Sequence, residues 1–273
     1  MDCRGKSLLL GNKTQVMGIL NVTPDSFSDG GKFNAVDAAL NQARLIEAEG
    51  AAIVDIGGQS TRPGHVEVSE DEELSRVIPV IEVCSRNLQI PISIDSYRSN
   101  VASQALKAGA GLVNDQHGFQ GDPAMPKVVA EWKCPVILMH CDKTLSPHEA
   151  SVMDAMKRFF EKSLAIADQH GILRSNIILD PGIGFYKTQP QNLSIIAKIS
   201  ELKSLGFPLL LGASRKSVIG HVLGGEPNDR AEGTLVTSAL AAYEKIDLIR
   251  VHDVKANLRA VRMAEAVLKA SKA

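Results

Sequence analysis

The chain has 273 residues, 44% of them hydrophobic, and its 30 Lys and Arg nearly balance 31 Asp and Glu. That balance excludes a general attraction to nucleic acid or to an anionic membrane surface, so any anion must be bound locally. No segment approaches the roughly 20 apolar residues of a membrane helix, and the apolar stretch in "MDCRGKSLLLGNKTQ" is too short for a signal peptide. The four cysteines, Cys3, Cys84, Cys134 and Cys141, form no CxxC pair, which fits reduced thiols in a cytoplasmic enzyme. A zinc site from Cys134, His140, Cys141 and His148 is set aside, because the spacing matches none of the usual ligand patterns.

In chain order, "SLLLGNKTQ" (7–15) reads as a small hairpin. A first buried strand follows at 16–20. After Asn34, the residues Val36, Ala39, Leu40, Ala43 and Ile46 trace one helical face, with Gly50 as its stop. A second strand, 52–56, precedes a helix announced by the capping-box pair Ser69 and Glu72. That helix carries Leu74, Val77, Ile78 and Ile81, with a kink expected at Pro79. Short apolar runs recur at 91–94, 111–113, 135–139, 176–179, 208–211 and 247–250. Runs of this kind suit strands buried on both faces. Long helices are expected over 148–171 and 254–270. Lys187-Thr188-Gln189 reads as an exposed loop.

Strands alternating with helices through short connections imply a parallel sheet with right-handed crossovers. Eight such units predict a (β/α)8 TIM barrel preceded by a short N-terminal β-hairpin, in one domain over 1–273. An open doubly wound sheet would show a GxGxxG turn after its first strand, and "NVTPDSFSDGG" is not one.

In such a barrel the chemistry sits at the C-terminal ends of the strands. Those ends read Asn21, Asp55, Asp95, Asn114 with Asp115, Met139 with His140, Asp180, "GASRKS", and Arg250 with His252. Any one Asp could be a helix cap or turn residue, and Asp55, before Gly57 and Gly58, is read as structural. The whole series is not explained by packing. Arg62, Lys216, Arg250 and His252 suit a phosphate. Asp95, Asn114 and Asp180 suit the edge of an amino-pyrimidinone, and neighbouring carboxylates can cradle a developing cation. "SRKS" lacks the GxxxxGK spacing of a phosphate-binding P-loop.

The stretches "MGILNVTPDSFSDGG" (17–31), "GAAIVDIGGQSTRPG" (50–64), "PISIDSYR" (91–98), "LVND" (112–115), "DPGIGF" (180–185), "GASRKS" (212–217) and "RVHDV" (250–254) resemble the dihydropteroate synthase family in content, order and spacing. The resemblance spans nearly the whole chain. It implies a (β/α)8 barrel, usually a homodimer, that uses Mg2+. The implied reaction joins 6-hydroxymethyl-7,8-dihydropterin diphosphate to 4-aminobenzoate, giving 7,8-dihydropteroate and diphosphate. On this resemblance Asp95, Asn114, Asp180 and Lys216 bind the pterin, and Asn21 is the Mg2+ ligand. Asn21, Thr61, Arg62, Ser214, Arg250 and His252 form the diphosphate set. Thr61, Arg62, Phe185, Lys216 and Ser217 form the aminobenzoate pocket. Asp95, Lys216, Arg250 and His252 are the expected catalytic groups. The loops 21–34 and 57–68 are expected to close over the site and exclude water.

The chain departs from the family pattern at Tyr186, where Gly is usual, at Gln59, where Glu is commoner, and in "CDKTLSPHEA" after His140. Tyr186 is expected to face solvent. The alternative reading is a pterin-binding methyltransferase acting with a corrinoid protein. "STRPG", "SRKS" and "RVH" speak against it, because such an enzyme has no diphosphate to hold. A pterin-binding protein without catalytic activity is the remaining alternative.

Overall fold

The apolar runs fold as eight parallel strands, each followed by a helix. The computed structural model describes residues 1–22, 31–59 and 68–271. The strands are β3 (Gln15–Asn21), β4 (Ile53–Gly57), β5 (Ile92–Asp95), β6 (Leu112–Asp115), β7 (Val136–Met139), β8 (Ile177–Asp180), β9 (Leu210–Leu211) and β10 (Leu248–Val251). They form one sheet in the order β8-β7-β6-β5-β4-β3-β10-β9. A parallel bridge between Leu179 and Leu209 joins its two ends, and the Leu179 amide donates to Pro208 O at 2.9 Å. The sheet is thus nearly closed into the predicted barrel.

Side chains alternate in and out along each strand. The outward set includes Val54, Ile56, Val113, Leu138, Leu179 and Ile249, which join the helices in one continuous core. The inward set near the N-terminal ends is a second apolar cluster of Met17, Ile53, Leu112, Ile137, Ile178, Leu210 and Leu248. Cys3 and Leu8 cover it from below. They belong to a hairpin of two short antiparallel strands, β1 (Asp2–Cys3) and β2 (Lys6–Ser7). The hairpin lies earlier than the expected 7–15. Strands two residues long are too short to leave a periodic signal.

The helices are α1 (Gly31–Ala48), α2 (Glu70–Asn87), α3 (Ser99–Ala108), α4 (Met125–Trp132), α5 (Val152–Gln169), α6 (Gln189–Lys198), α7 (Ser217–Leu223), α8 (Ala231–Tyr243) and α9 (Val254–Ala270). Ser69 caps α2 by accepting from the Glu72 amide, and α2 runs as one helix through Pro79. Gly50 follows α1 at φ +96°, the left-handed conformation a stop residue needs. α5 begins later than expected. Ser151 is its cap and accepts from the Asp154 amide, which leaves 148–150 outside the helix. No helix among the described residues is long and apolar enough to cross a membrane.

Candidate active site

Two residues further along five of the eight strands, the inward positions change character. Ile53 is succeeded by Asp55, Leu112 by Asn114, Ile178 by Asp180 and Leu248 by Arg250; Ser93 on β5 is succeeded by Asp95. These are the C-terminal ends, and all five groups meet inside the barrel. Arg250 Nε donates to Asp55 Oδ2 at 2.6 Å, and one Nη donates to Asp95 Oδ2 at 2.6 Å. Asn114 Nδ2 donates to the same Asp55 oxygen at 3.1 Å. A carbon placed on Gly212 would lie 3.7 Å from Asp180 Oδ2 and 3.8 Å from Arg250 Cβ. The missing side chain therefore leaves open the space between those two groups.

Burial sets the electrostatics. Asp95 is pushed up to about 6 by burial, although Arg250 opposes the shift. Burial also raises Asp180, against the pull of Lys216. The Lys216 ammonium is pushed down to about 8 by burial, with Asp180 opposing. Burial works against the charge on Arg250, but Asp55 and Asp95 outweigh it and hold the guanidinium protonated. Asp55, Asp95 and Asp180 thus set three carboxylates against two cations.

The remaining predicted residues ring this centre. Lys216 stands before α7 and donates to Ile183 O at 2.7 Å. Its ammonium lies 4.8 Å from the centre of the Phe185 ring, so the two are brought together as expected. Ser217 opens α7 and is exposed. His252 leaves the strand with the same inward parity as Arg250 but turns elsewhere: its Nδ1 is 3.0 Å from Ser214 Oγ. The basic pair is therefore split, with Arg250 among carboxylates and His252 beside a hydroxyl. Asn21 ends β3, partly buried. Thr61 and Arg62 lie outside the described residues, as does most of both loops expected to close over the site.

Three residues differ from the sequence reading or were missed by it, and Asp55 has partners in the site. Asp55, read as structural, is fully buried and holds both Arg250 and Asn114. Its parity with Ile53 was the available signal. Gln116 continues the parity of Asn114, and its Nε2 donates to Asp95 Oδ1 at 2.6 Å. Asp115 points outward and accepts from the His117 and Phe119 amides at 2.9 and 2.7 Å, so it shapes a loop. Lys187 is not the exposed residue expected: its side chain is partly buried and its ammonium donates into the loop after β8. Thr188 and Gln191 form a capping box at the start of α6. Tyr186 is 51% exposed, as expected, and takes φ +50°, a conformation Gly reaches more easily.

A separate cavity of about 910 Å³ lies beside this face, lined by Tyr97, His117, Cys141, Lys143, Arg158 and Lys162 among others. Among the described residues, no group of three or more His, Cys, Asp or Glu side chains is placed to hold a metal ion.

Known proteins resemble this chain in sequence and in fold. A family model described as pterin binding enzyme matches residues 17–252. The chain is 50% identical over 256 residues to a dihydropteroate synthase of Bacillus subtilis, covering 94% of this chain and 89% of that one. The fold matches the crystal structure of a dihydropteroate synthase from Clostridium difficile in the presence of pteroic acid, with TM-score 0.92, 48% identity and coverage of 96% and 99% of the two chains. It also matches a Yersinia pestis dihydropteroate synthase in complex with a sulfonamide drug, with TM-score 0.90, 40% identity and 99% coverage of both chains. The chain belongs to the family of pterin-binding enzymes, among relatives that are dihydropteroate synthases.

Proposed function

We propose that the chain is a transferase that condenses 6-hydroxymethyl-7,8-dihydropterin diphosphate with 4-aminobenzoate. The products are 7,8-dihydropteroate and diphosphate. The observation that carries this reading is the buried polar layer at the C-terminal strand ends, in a barrel half identical to a dihydropteroate synthase.

Asp95, Asn114, Asp180 and Lys216 would bind the pterin. A carboxylate accepts from adjacent N–H groups on the heterocycle, and an ammonium or amide donates to its carbonyl and ring nitrogens. Asn21, Thr61, Arg62, Ser214, Arg250 and His252 would hold the diphosphate. The Arg250 Nη not given to Asp95 makes no hydrogen bond to the described residues. Thr61, Arg62, Phe185, Lys216 and Ser217 would frame the aminobenzoate. The reaction is SN1-like. The C–O bond to diphosphate breaks and its electron pair leaves with the diphosphate oxygen. The exocyclic carbon becomes cationic, and the excess of carboxylates around it favours that charge. The neutral aromatic amine then attacks with its lone pair, forming the C–N bond, and gives up a proton.

Mg2+ belongs to this proposal as cofactor. Asn21 supplies one amide oxygen, which suits an ion held by a single protein oxygen, water and substrate diphosphate oxygens. When bound it would neutralise charge on the leaving group. We further propose a cytoplasmic homodimer. Val222 and Leu223 on α7, Val236, Leu240 and Tyr243 on α8, and Met263 and Val267 on α9 are all exposed. Exposed apolar side chains on three neighbouring helices support a subunit contact.

The test is diphosphate release from the dihydropterin diphosphate, with and without 4-aminobenzoate. Release coupled to formation of dihydropteroate is expected. No release with both substrates present would overturn the reading, and methyl transfer from methyltetrahydrofolate to a corrinoid protein would replace it.

A further inference from the structure

Resting on that reading, we infer that Lys187 is a positioning residue for the aminobenzoate wall, which it tethers to the neighbouring strand end. The side chain does not reach the pterin carboxylates. Its ammonium instead donates to three backbone carbonyls: Gly182 O at 2.9 Å, Phe185 O at 3.1 Å and His140 O at 3.3 Å. The first two belong to the loop that carries Phe185, and the third ends β7. One partly buried cation therefore ties the loop after β8 to the adjacent strand end.

The rest of the loop is built around that tie. Gly182 takes φ +65°, and a side-chain carbon there would fall 2.2 Å from His140 O. The two backbones approach so closely that only Gly fits, and Lys187 bridges their carbonyls. Lys216 donates to Ile183 O in the same loop at 2.7 Å. Asn192 accepts from the Gly184 amide at 2.7 Å and donates back to the Lys187 and Thr188 carbonyls. Phe185 thus stands on a loop anchored by the buried Ile183 and held at its carbonyls and amides by two ammonium groups and one amide.

The tie is sensitive to pH. Burial pushes the Lys187 ammonium down to about 7, with Asp180 and Cys141 opposing, Lys216 reinforcing the shift and Asp142 opposing it. The His140 ring beside it is held neutral, its value lowered to about 3 mainly by burial. Below neutral pH the ammonium is intact and donates to all three carbonyls. As pH rises through 7 one proton is lost, and with it a donor and the charge.

The experiment measures the KM for 4-aminobenzoate between pH 6 and 9, at saturating dihydropterin diphosphate. It compares wild type, Lys187→Arg and Lys187→Met. In wild type the KM is expected to rise about tenfold with a midpoint near pH 7, the scale of one hydrogen-bond donor lost. Arg stays charged throughout this range, so Lys187→Arg should lose that midpoint and keep only the later change near pH 8 from Lys216. Lys187→Met should show the raised KM at every pH, with affinity for an unphosphorylated pterin within about twofold of wild type. Hydrogen exchange at the Gly184 and Phe185 amides reads the same tie without turnover. Corrected for intrinsic exchange, protection should rise as pH climbs above 7 in wild type, because the opened loop holds the lysine proton more tightly than the closed one, and stay level in Lys187→Arg. A flat wild-type KM, a midpoint retained in Lys187→Arg, or pH-independent loop protection would each overturn the assignment. An inactive enzyme with the predicted exchange pattern would sink the proposed function and leave the tie standing.

Discussion

The two halves of the barrel interior are built from the same strands and the same parity, yet they do opposite things. The lower half is Met17, Ile53, Leu112, Ile137, Ile178, Leu210 and Leu248, sealed by Cys3 and Leu8 of the hairpin. The upper half is Asp55, Asp95, Asn114, Asp180 and Arg250. The lower half gains stability by excluding water. The upper half loses stability by burying charge, offset where its groups pair, although Asp55 Oδ1 has no hydrogen-bond partner among the described residues. The comparison teaches that the lower layer fixes the strands so that the upper layer can hold charges at set positions.

The largest break in this comparison should come from Arg250→Ala. It would leave Asp55 and Asp95 buried without their cation, at a cost of about 3–5 kcal/mol. Urea unfolding would measure it. The loss should shrink on acidification, because Asp95, already pushed up to about 6 with Arg250 present, then takes a proton and needs no partner. A loss below about 1 kcal/mol at pH 7 would mean that the upper layer is well solvated, and the contrast between halves would fail.

Lys216 sharpens the contrast through pH. Its value is pushed down to about 8, so the charged form that serves the pterin is present below pH 8 and lost above it. Pterin affinity should fall about tenfold between pH 7 and 9.5, and the fall should be absent in Lys216→Met. The linked stability runs the other way. Folding depresses the proton affinity of this lysine, so its contribution to stability improves as pH rises through 8 towards its ordinary value. Calorimetric titration across that range would separate the two signs.

How much of this was legible in sequence depended on the range of the interaction. Strands buried on both faces give apolar runs, so each barrel strand could be placed within a residue or two. The polar strand ends were legible because parity carries them inward with their apolar neighbours. The partners were not. Arg250 meets Asp55 and Asp95 across 195 and 155 residues, and nothing local announces either pairing. Lys187 was misread because a lysine beside Thr and Gln resembles a solvated loop. Its burial comes from carbonyls of two separate strand ends. The hairpin was misplaced because two-residue strands carry no period.

The smallest effect is expected at Tyr186. Its side chain is half exposed, and the Lys143 ammonium lies 5.7 Å from the ring centre. Tyr186→Gly should relieve the left-handed backbone and change stability by under about 1 kcal/mol. The ratio of sulfonamide inhibition constant to aminobenzoate KM should move less than about twofold. A tenfold fall in that ratio would put the ring at the pocket mouth.

The most direct test compares two positions on β8 that point the same way. Ile178 lies in the lower half and Asp180 in the upper. Calorimetry with a pterin ligand and urea unfolding would be run on Ile178→Val and Asp180→Asn. Ile178→Val should cost about 0.5–1.5 kcal/mol of stability and leave pterin affinity unchanged. Asp180→Asn should cost about 2–4 kcal/mol of pterin affinity, because an amide donor then faces the N–H groups the carboxylate received. Its stability should change little, since the amide oxygen can still accept from the Gly182 N–H that Oδ1 meets at 2.7 Å. Unchanged pterin affinity in Asp180→Asn, or equal losses of affinity in both variants, would contradict the division of the barrel into a scaffold half and a binding half.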